Sequence, residues 1–404
     1  MGQVCLGRAY NLNSAFICPT NEINIQISDL GPLSVKRHVL QEGNFLSLIV
    51  DEHRQYLSDM ERISAFRESI KEVVRPGHVV LDLGTGTGVL GLFACRAGAS
   101  LVYSIEEGGM IELARSVCGA NGFQDRVTFM KGLSLHLDLP EKVDVVIADQ
   151  IGRFGFDAGM LEYFSDARER FLKPDGVMIP SRVDLCVAAV ECPEIWNQVE
   201  FWNTNPAGFD FRPARSWAAN TGYPVKYCAE QLLGEPAVGT SIDLGTVSSA
   251  PLNLETSIMT TRAGTLHGIG GWFSAQLSRN VTMSNSPLSA QRINRMNVFF
   301  PIDQPVAVAE GDHVHIKMHI MPTDLVVTWK VEVWGKNQET LAVSKGLFTH
   351  STWKGMLICK EDLEHTRPDF VPKLTERGEA RLSVLKLCNG ERRLSEIEEE
   401  LYRC

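Results

Sequence analysis

From Val79 to Gly88 the chain reads VVLDLGTGTG, an apolar run that breaks into three glycines within five residues. Val79, Val80, Leu81 and Leu83 have the composition of a short buried strand, and Val89 to Ala97 continues with helical apolar spacing. A strand that must pass at once into a helix through Gly84, Thr85, Gly86 and Gly88 points to a parallel α/β sheet around it. Glycine tolerates positive φ and has no side chain to keep a ligand away from the backbone N–H groups. The next apolar run, Leu101 to Ile105, ends on Glu106, where a carboxylate can accept hydrogen bonds from both hydroxyls of a ribose. The pattern describes a turn that cradles a nucleotide.

Asp82, just before the glycines, discriminates between nucleotides. A dinucleotide would bring an anionic pyrophosphate towards a carboxylate, whereas the sulfonium and ammonium groups of S-adenosylmethionine (SAM) would be drawn to it. SAM rather than NAD is the expected cofactor.

The chain has 404 residues, enough for two domains and a small third, with 44% hydrophobic residues to build their cores. A net charge of −10 argues against nucleic acid as a partner and favours a cationic substrate or a basic partner segment. The ten cysteines contain no Cys-x-x-Cys pair and no secretory segment opens the chain, so a reducing cytoplasm is expected. No apolar run is long enough to span a bilayer, and a membrane is not an expected partner. His313, His315 and His319 alternate along one strand face that also carries Lys317, without a Cys or carboxylate cluster, so no metal site is expected.

Four regions follow from the patterning: an N-terminal arm over 1–40, an α/β Rossmann-like domain over 41–180, an all-β barrel domain over 181–345, and a helical module over 346–404. Strands of the first domain are predicted at Val79 to Leu83, Leu101 to Ile105, Val127 to Met130, Val143 to Ile147 and Val177 to Ile179. After Pro180 the period becomes two, as in Val314, Ile316, Met318 and Ile320 against His313, His315, Lys317 and His319. An aromatic insert from Trp196 to Trp217 interrupts the alternation. In the tail, Leu382, Leu385 and Leu387 precede a stop at Asn389-Gly390, and Ser395 with Glu398 forms a potential capping box. Asp144, at a strand start, reads as a turn former.

Ahead of the glycine turn stands HRQYLSDMERISAFRESI, and with it the sequence resembles the protein arginine methyltransferase family of class I SAM-dependent methyltransferases, over roughly residues 45 to 345. His53, Asp59, Arg62, Phe66 and Ile70 fall at that family's spacing for the helix that closes over the cofactor. The resemblance implies that Arg62 holds the SAM carboxylate, a role suited to a bidentate guanidinium on a rigid helix. It likewise implies Glu106 on the ribose, Glu107 and Met110 near the adenine, and Lys131, Gly132, Leu133 and Ser134 around the adenine edge, with His53 and Met160 also at the cofactor. Homodimerisation is implied too, since Gly208-Phe209-Asp210 in the insert matches the family. The C-terminal stretch looks like the winged-helix peptide-binding modules found with peptide-modifying enzymes.

The substrate loop departs from the family's pattern. Two glutamates there clamp a substrate guanidinium in the family; here the first position is Asp149 and the second is Ala158, with Asp157 one residue early. The Thr-His-Trp loop is replaced by Arg292-Ile293-Asn294. Asp149 is the first choice for orienting or deprotonating the acceptor and Asp157 the second. The leading expectation is methyl transfer to a guanidino nitrogen of arginine, in a protein, a peptide or the free amino acid. The alternatives are a tailoring methyltransferase acting on another N or O nucleophile, and a non-catalytic SAM-binding scaffold.

Overall fold

The computed structural model describes residues 49–248, 250–335, 343–365, 367–371, 373–390 and 392–403; the expected N-terminal arm lies outside them. The chain divides into two compact units, whose described parts are residues 49–356 and the stretch from Leu357 onward.

The first unit opens with helices α1 (Ile49–Ser58) and α2 (Met60–Val73). Asp59 caps α2 by accepting a hydrogen bond from the Arg62 N–H, satisfying one of the donors a helix start leaves orphaned. Phe66 and Ile70, one turn apart on the inner face, are fully buried, each burial contributing about 1.5–3 kcal/mol.

There follow β1 (Val79–Leu83), α3 (Val89–Ala97), β2 (Leu101–Glu106), α4 (Met110–Ala120), β3 (Val127–Lys131), β4 (Val143–Ala148), α5 (Met160–Arg170) and β5 (Leu172–Ile179). The five strands form one parallel sheet in the order β3-β2-β1-β4-β5. This is the α/β Rossmann-like layer expected from the sequence, with β1 and β4 adjacent where the order reverses, the usual place for a ligand crevice. β5 starts at Leu172 rather than Val177: Lys173, Pro174, Asp175 and Gly176 form an irregularity opposite Val143 to Val145 on this edge strand, a position where proline is tolerated. Asp144 is not a turn former; its carboxylate accepts the Val79 N–H at 2.8 Å and Lys173 Nζ at 2.8 Å, bracing β4 against both neighbours.

Beyond the parallel sheet come β6 (Arg182–Val190), α6 (Pro193–Glu200), the short α7 (Arg215–Ala218), β7 (Tyr223–Val225), β8 (Ala237–Asp243), β9 (Leu252–Met259), β10 (Gly264–Gln276), β11 (Thr282–Ser284), β12 (Asn297–Val308), β13 (His313–Met321), β14 (Val326–Gly335) and β15 (Val343–Ser351). They form two antiparallel sheets, β7-β12-β10-β6-β8 with β11 paired to β10, and β15-β14-β13-β9. The period-two reading of β13 matches its alternation: Val314, Ile316, Met318 and Ile320 are buried, and the intervening residues face outward. On that outer face His315 Nε2 lies 3.2 Å from Glu255, and His319 Nδ1 lies 2.9 Å from Asn253. Antiparallel pairing persists through β15, past residue 345 where the sequence reading ended the β domain, so His350 belongs to the sheet and stacks on Trp329.

The described remainder holds α8 (Lys360–His365), α9 (Glu376–Leu387) and α10 (Leu394–Arg403). Thr375 caps α9 through the Gly378 N–H at 3.1 Å. The expected Ser395–Glu398 capping box is not formed: α10 already begins at Leu394, and it is Glu396 that reaches back to the Arg393 N–H, at 2.8 Å. Among the described residues no helix is long and apolar enough to cross a membrane.

Candidate active site

The turn after β1 has positive φ at Gly84 (68°), Gly86 (53°) and Gly88 (82°), a conformation that glycine adopts without strain and that lets neighbouring side chains approach the backbone at the mouth of α3. A Cβ at Gly84 would lie 2.7 Å from Gln150 Nε2, and one at Gly86 would lie 2.7 Å from the His53 ring. The cradle is therefore walled by α1 on one side and by the segment after β4 on the other.

Its acidic residues are tied into the turn. Asp82 is fully buried; Oδ2 accepts Thr85 Oγ1 at 2.5 Å and the Gly91 N–H at 2.9 Å, while Oδ1 has no protein partner. Burial pushes this carboxyl up to about 6, against the lowering effect of the Thr85 and Gly91 hydrogen bonds. Glu106, at the end of β2, accepts the Gly86 N–H on Oε2 at 3.0 Å and the Gly108 N–H on Oε1 at 2.8 Å. Glu107 is exposed beside it, Met110 is buried at the start of α4, Gly132 and Leu133 are half-buried after β3, Ser134 is buried, and Met160 is buried at the start of α5. His53 is half-buried on α1.

Asp149 follows β4 and lies in a different electrostatic setting. Its Oδ2 accepts Arg62 Nε at 2.5 Å and Arg295 Nη2 at 3.1 Å, and Oδ1 faces Arg295 Nη1 at 3.4 Å. The three side chains are 10%, 9% and 15% exposed for Asp149, Arg62 and Arg295, which makes this a buried ion triad. Burial alone would raise the Asp149 carboxyl, but the Arg295 and Arg62 guanidinium groups hold it below the ordinary carboxylate value. Arg62, expected to face the SAM carboxylate, is directed at Asp149 here and also bonds the Tyr56 carbonyl at 3.3 Å.

Asp157, the second candidate for acceptor chemistry, closes its own loop instead. Its Oδ1 accepts the N–H groups of Arg153 at 2.8 Å and Phe154 at 2.9 Å, four and three residues earlier in the chain, so the side chain ties the loop back on itself. Sequence reasoning missed Arg295, Tyr56 and Gln150. The signal for Arg295 was one residue away, in the altered Arg292-Ile293-Asn294 segment.

A SAM molecule fits this chemistry. The unpartnered carboxylate oxygen of Asp82 and the Glu106 carboxylate supply acidic groups that suit the cationic end and the ribose of SAM, and the Thr85, Gly86 and Gly88 N–H groups that a pyrophosphate would need are already paired within the protein.

Comparisons with known proteins agree with the geometry. The family described as "Arginine methyltransferase oligomerization subdomain" matches residues 181–334, and "Ribosomal protein L11 methyltransferase (PrmA)" matches residues 66–183. An arginine N(omega)-methyltransferase of Streptomyces achromogenes subsp. streptozoticus is 30% identical over 275 residues, covering 66% of this chain and 75% of the relative. Protein arginine N-methyltransferase 6 of Danio rerio is 28% identical, covering 67% and 82% respectively. Among solved structures, protein arginine methyltransferase 10 of Arabidopsis thaliana has a TM-score of 0.65 at 23% identity, over 75% of this chain and 98% of its own. The Trypanosoma brucei enzyme–prozyme heterotetramer with AdoHcy has the same TM-score and identity, over 74% and 97%.

Proposed function

The chain belongs to the arginine methyltransferase family, whose cofactor is SAM, and from that premise we propose that it methylates a guanidino nitrogen of arginine, in the free amino acid, a peptide or a protein. The observation that carries the reading is Asp149: a buried carboxylate at the end of β4 that already seats a guanidinium fork, the hydrogen-bonding geometry an arginine acceptor requires.

When bound, SAM supplies an electrophilic methyl group on a sulfonium sulfur. In this reading Glu106 holds the ribose, Asp82 and the Gly84–Gly88 turn hold the charged and backbone-facing parts, Arg62 takes the carboxylate, and Met110, Glu107, Ser134, Met160 and His53 flank the remainder. Asp149 orients the acceptor so that a nitrogen lone pair faces the methyl group. Alignment is the main contribution, because a displacement of this kind gains its rate from geometry and exclusion of water. Asp157 acts on that alignment through the loop it closes.

The organisation proposed is a cofactor domain over 41–180, a β domain for substrate and dimer contacts over 181–356, and an accessory peptide-binding-like module over 357–404. Exposed Phe209, Phe211 and Trp217 in the insert after α6 suit the arm of a homodimer. A cytoplasmic setting suits thiols such as Cys95, Cys118, Cys186, Cys192 and Cys228, none of which is in a disulfide. The test is incubation with labelled SAM and, separately, free arginine, an arginine-rich peptide and cell extract, followed by hydrolysis and separation of methylarginines. Label on a guanidino nitrogen is expected; its absence from every guanidino product would overturn the reading.

A further inference from the structure

We propose that Arg295 is the specificity-determining residue of the acceptor site: a resident guanidinium that occupies the Asp149 carboxylate and must be displaced before an acceptor guanidinium can enter. The proposal deepens the arginine reading above and rests on it.

Arg295 meets Asp149 end-on, Nη2 to Oδ2 at 3.1 Å and Nη1 to Oδ1 at 3.4 Å, with Nη1 also 3.4 Å from the Gly152 carbonyl. This is the two-pronged pairing that an arginine acceptor would itself use. Its guanidinium is 5.9 Å from the Phe273 ring centre, so it lies against an aromatic surface inside the β domain.

The contact is built, because the backbone on both sides of Arg295 is pinned. Arg292 Nη1 donates to the Tyr227 carbonyl at 2.7 Å, and the Asn294 N–H donates to Asp59 Oδ2 at 2.7 Å. Asn285 Nδ2 donates to the Met296 carbonyl at 2.9 Å and to the Arg153 carbonyl at 2.8 Å, while Asn297 Nδ2 donates to the Asn285 carbonyl at 2.7 Å. Only the side chain of Arg295 is left to move.

Among the described residues no second carboxylate is hydrogen-bonded to Arg295, and Asp157 reaches it only through its charge. Ala158 stands in the loop after Asp157, and Asp157 is committed to the Arg153 and Phe154 N–H groups. An incoming guanidinium therefore meets a like charge and an already paired acid. It succeeds only when the rest of the acceptor contributes enough contact to drive Arg295 aside. Small isolated cations are excluded, and acceptors with an extended body are selected.

Calorimetric titration of free arginine into the protein saturated with S-adenosylhomocysteine tests this. Arg295→Met removes the two-pronged occupant while keeping an apolar body and leaves Arg62 on Oδ2, so Oδ1 is freed and free arginine should then bind at least tenfold more tightly than to wild type. Arg295→Lys keeps the charge but not the fork, and should gain only two- to threefold. Unchanged or weaker arginine binding in Arg295→Met, with S-adenosylhomocysteine affinity and melting behaviour retained, overturns the proposal. Should that variant not fold, absence of any gain in Arg295→Lys overturns it. Transfer assays separate the two readings: wild type that methylates arginine while Arg295→Met shows no gain removes the role of Arg295 alone, whereas tighter arginine binding without guanidino label in any variant removes the arginine reading alone.

Discussion

Asp59 and Asn294 are joined by a 2.7 Å hydrogen bond from the Asn294 N–H to Asp59 Oδ2, across 235 residues of sequence. The other oxygen of the same carboxylate caps α2 through Arg62 N–H. One side chain thus fixes the helix that carries Arg62 and the segment that carries Arg295.

Replacing Asp59 with Ala should lower unfolding free energy by about 2 kcal/mol, combining a lost helix cap with a lost bond between layers. Asn, an equally good cap with a single accepting oxygen, should recover the cap but not the bond to Asn294, about half of the loss. Denaturant midpoints measure this, and an Ala variant melting with wild type would show that the dual role is absent.

Asp82 gives a pH signature of definite sign. Its folded value, about 6, lies above that of an unfolded aspartate, so the stability it contributes is full below about pH 4 and is lost as pH rises from there through about 6. The loss is on the order of 3 kcal/mol. Asp82→Asn should therefore melt above wild type at pH 8 and converge with it near pH 4 in cofactor-free protein, while binding S-adenosylhomocysteine more weakly than wild type at pH 8. Thermal scans across that range check the first point and calorimetry the second.

Asp157→Ala should lower kcat by about tenfold, through loss of two loop-closing hydrogen bonds. Asp157→Asn keeps the accepting oxygen and should stay within about threefold of wild type. A general base would not be rescued by the amide, so an inactive Asn variant would return Asp157 to acid–base chemistry.

Glu106→Ala should weaken S-adenosylhomocysteine binding by roughly ten- to a hundredfold, because charge-assisted bonds to two N–H groups of the cradle disappear together with the ribose acceptor. Glu106→Gln should fall between the two proteins. Calorimetry at constant pH gives the ranking directly.

The parallel sheet was legible because its signals are local: apolar strands, a glycine turn and helix spacing each lie within a dozen or so residues, and period two in β13 reads directly as buried and exposed faces. Asp82 stands out in the sequence, yet sequence could not show that one of its oxygens braces the turn and the other is left unpaired. What stayed hidden is long in range. Arg295 reaches Asp149 from 146 residues away, and only the antiparallel pairing of β10 and β12, with Asn285 and Asn297 linking the intervening loop, brings it there. Asp157 was ambiguous for a different reason, since an acid in a loop can serve chemistry or the turn itself.

The two guanidinium groups on Asp149 arrive from opposite layers, Arg62 from the α/β sheet's covering helix and Arg295 from the antiparallel side. In the proposed reading, grip on the methyl donor and choice of recipient lie on separate parts of the polypeptide. Exchanging the stretch between β11 and β12 among related chains should redirect which molecules are modified, while leaving the donor's seat untouched.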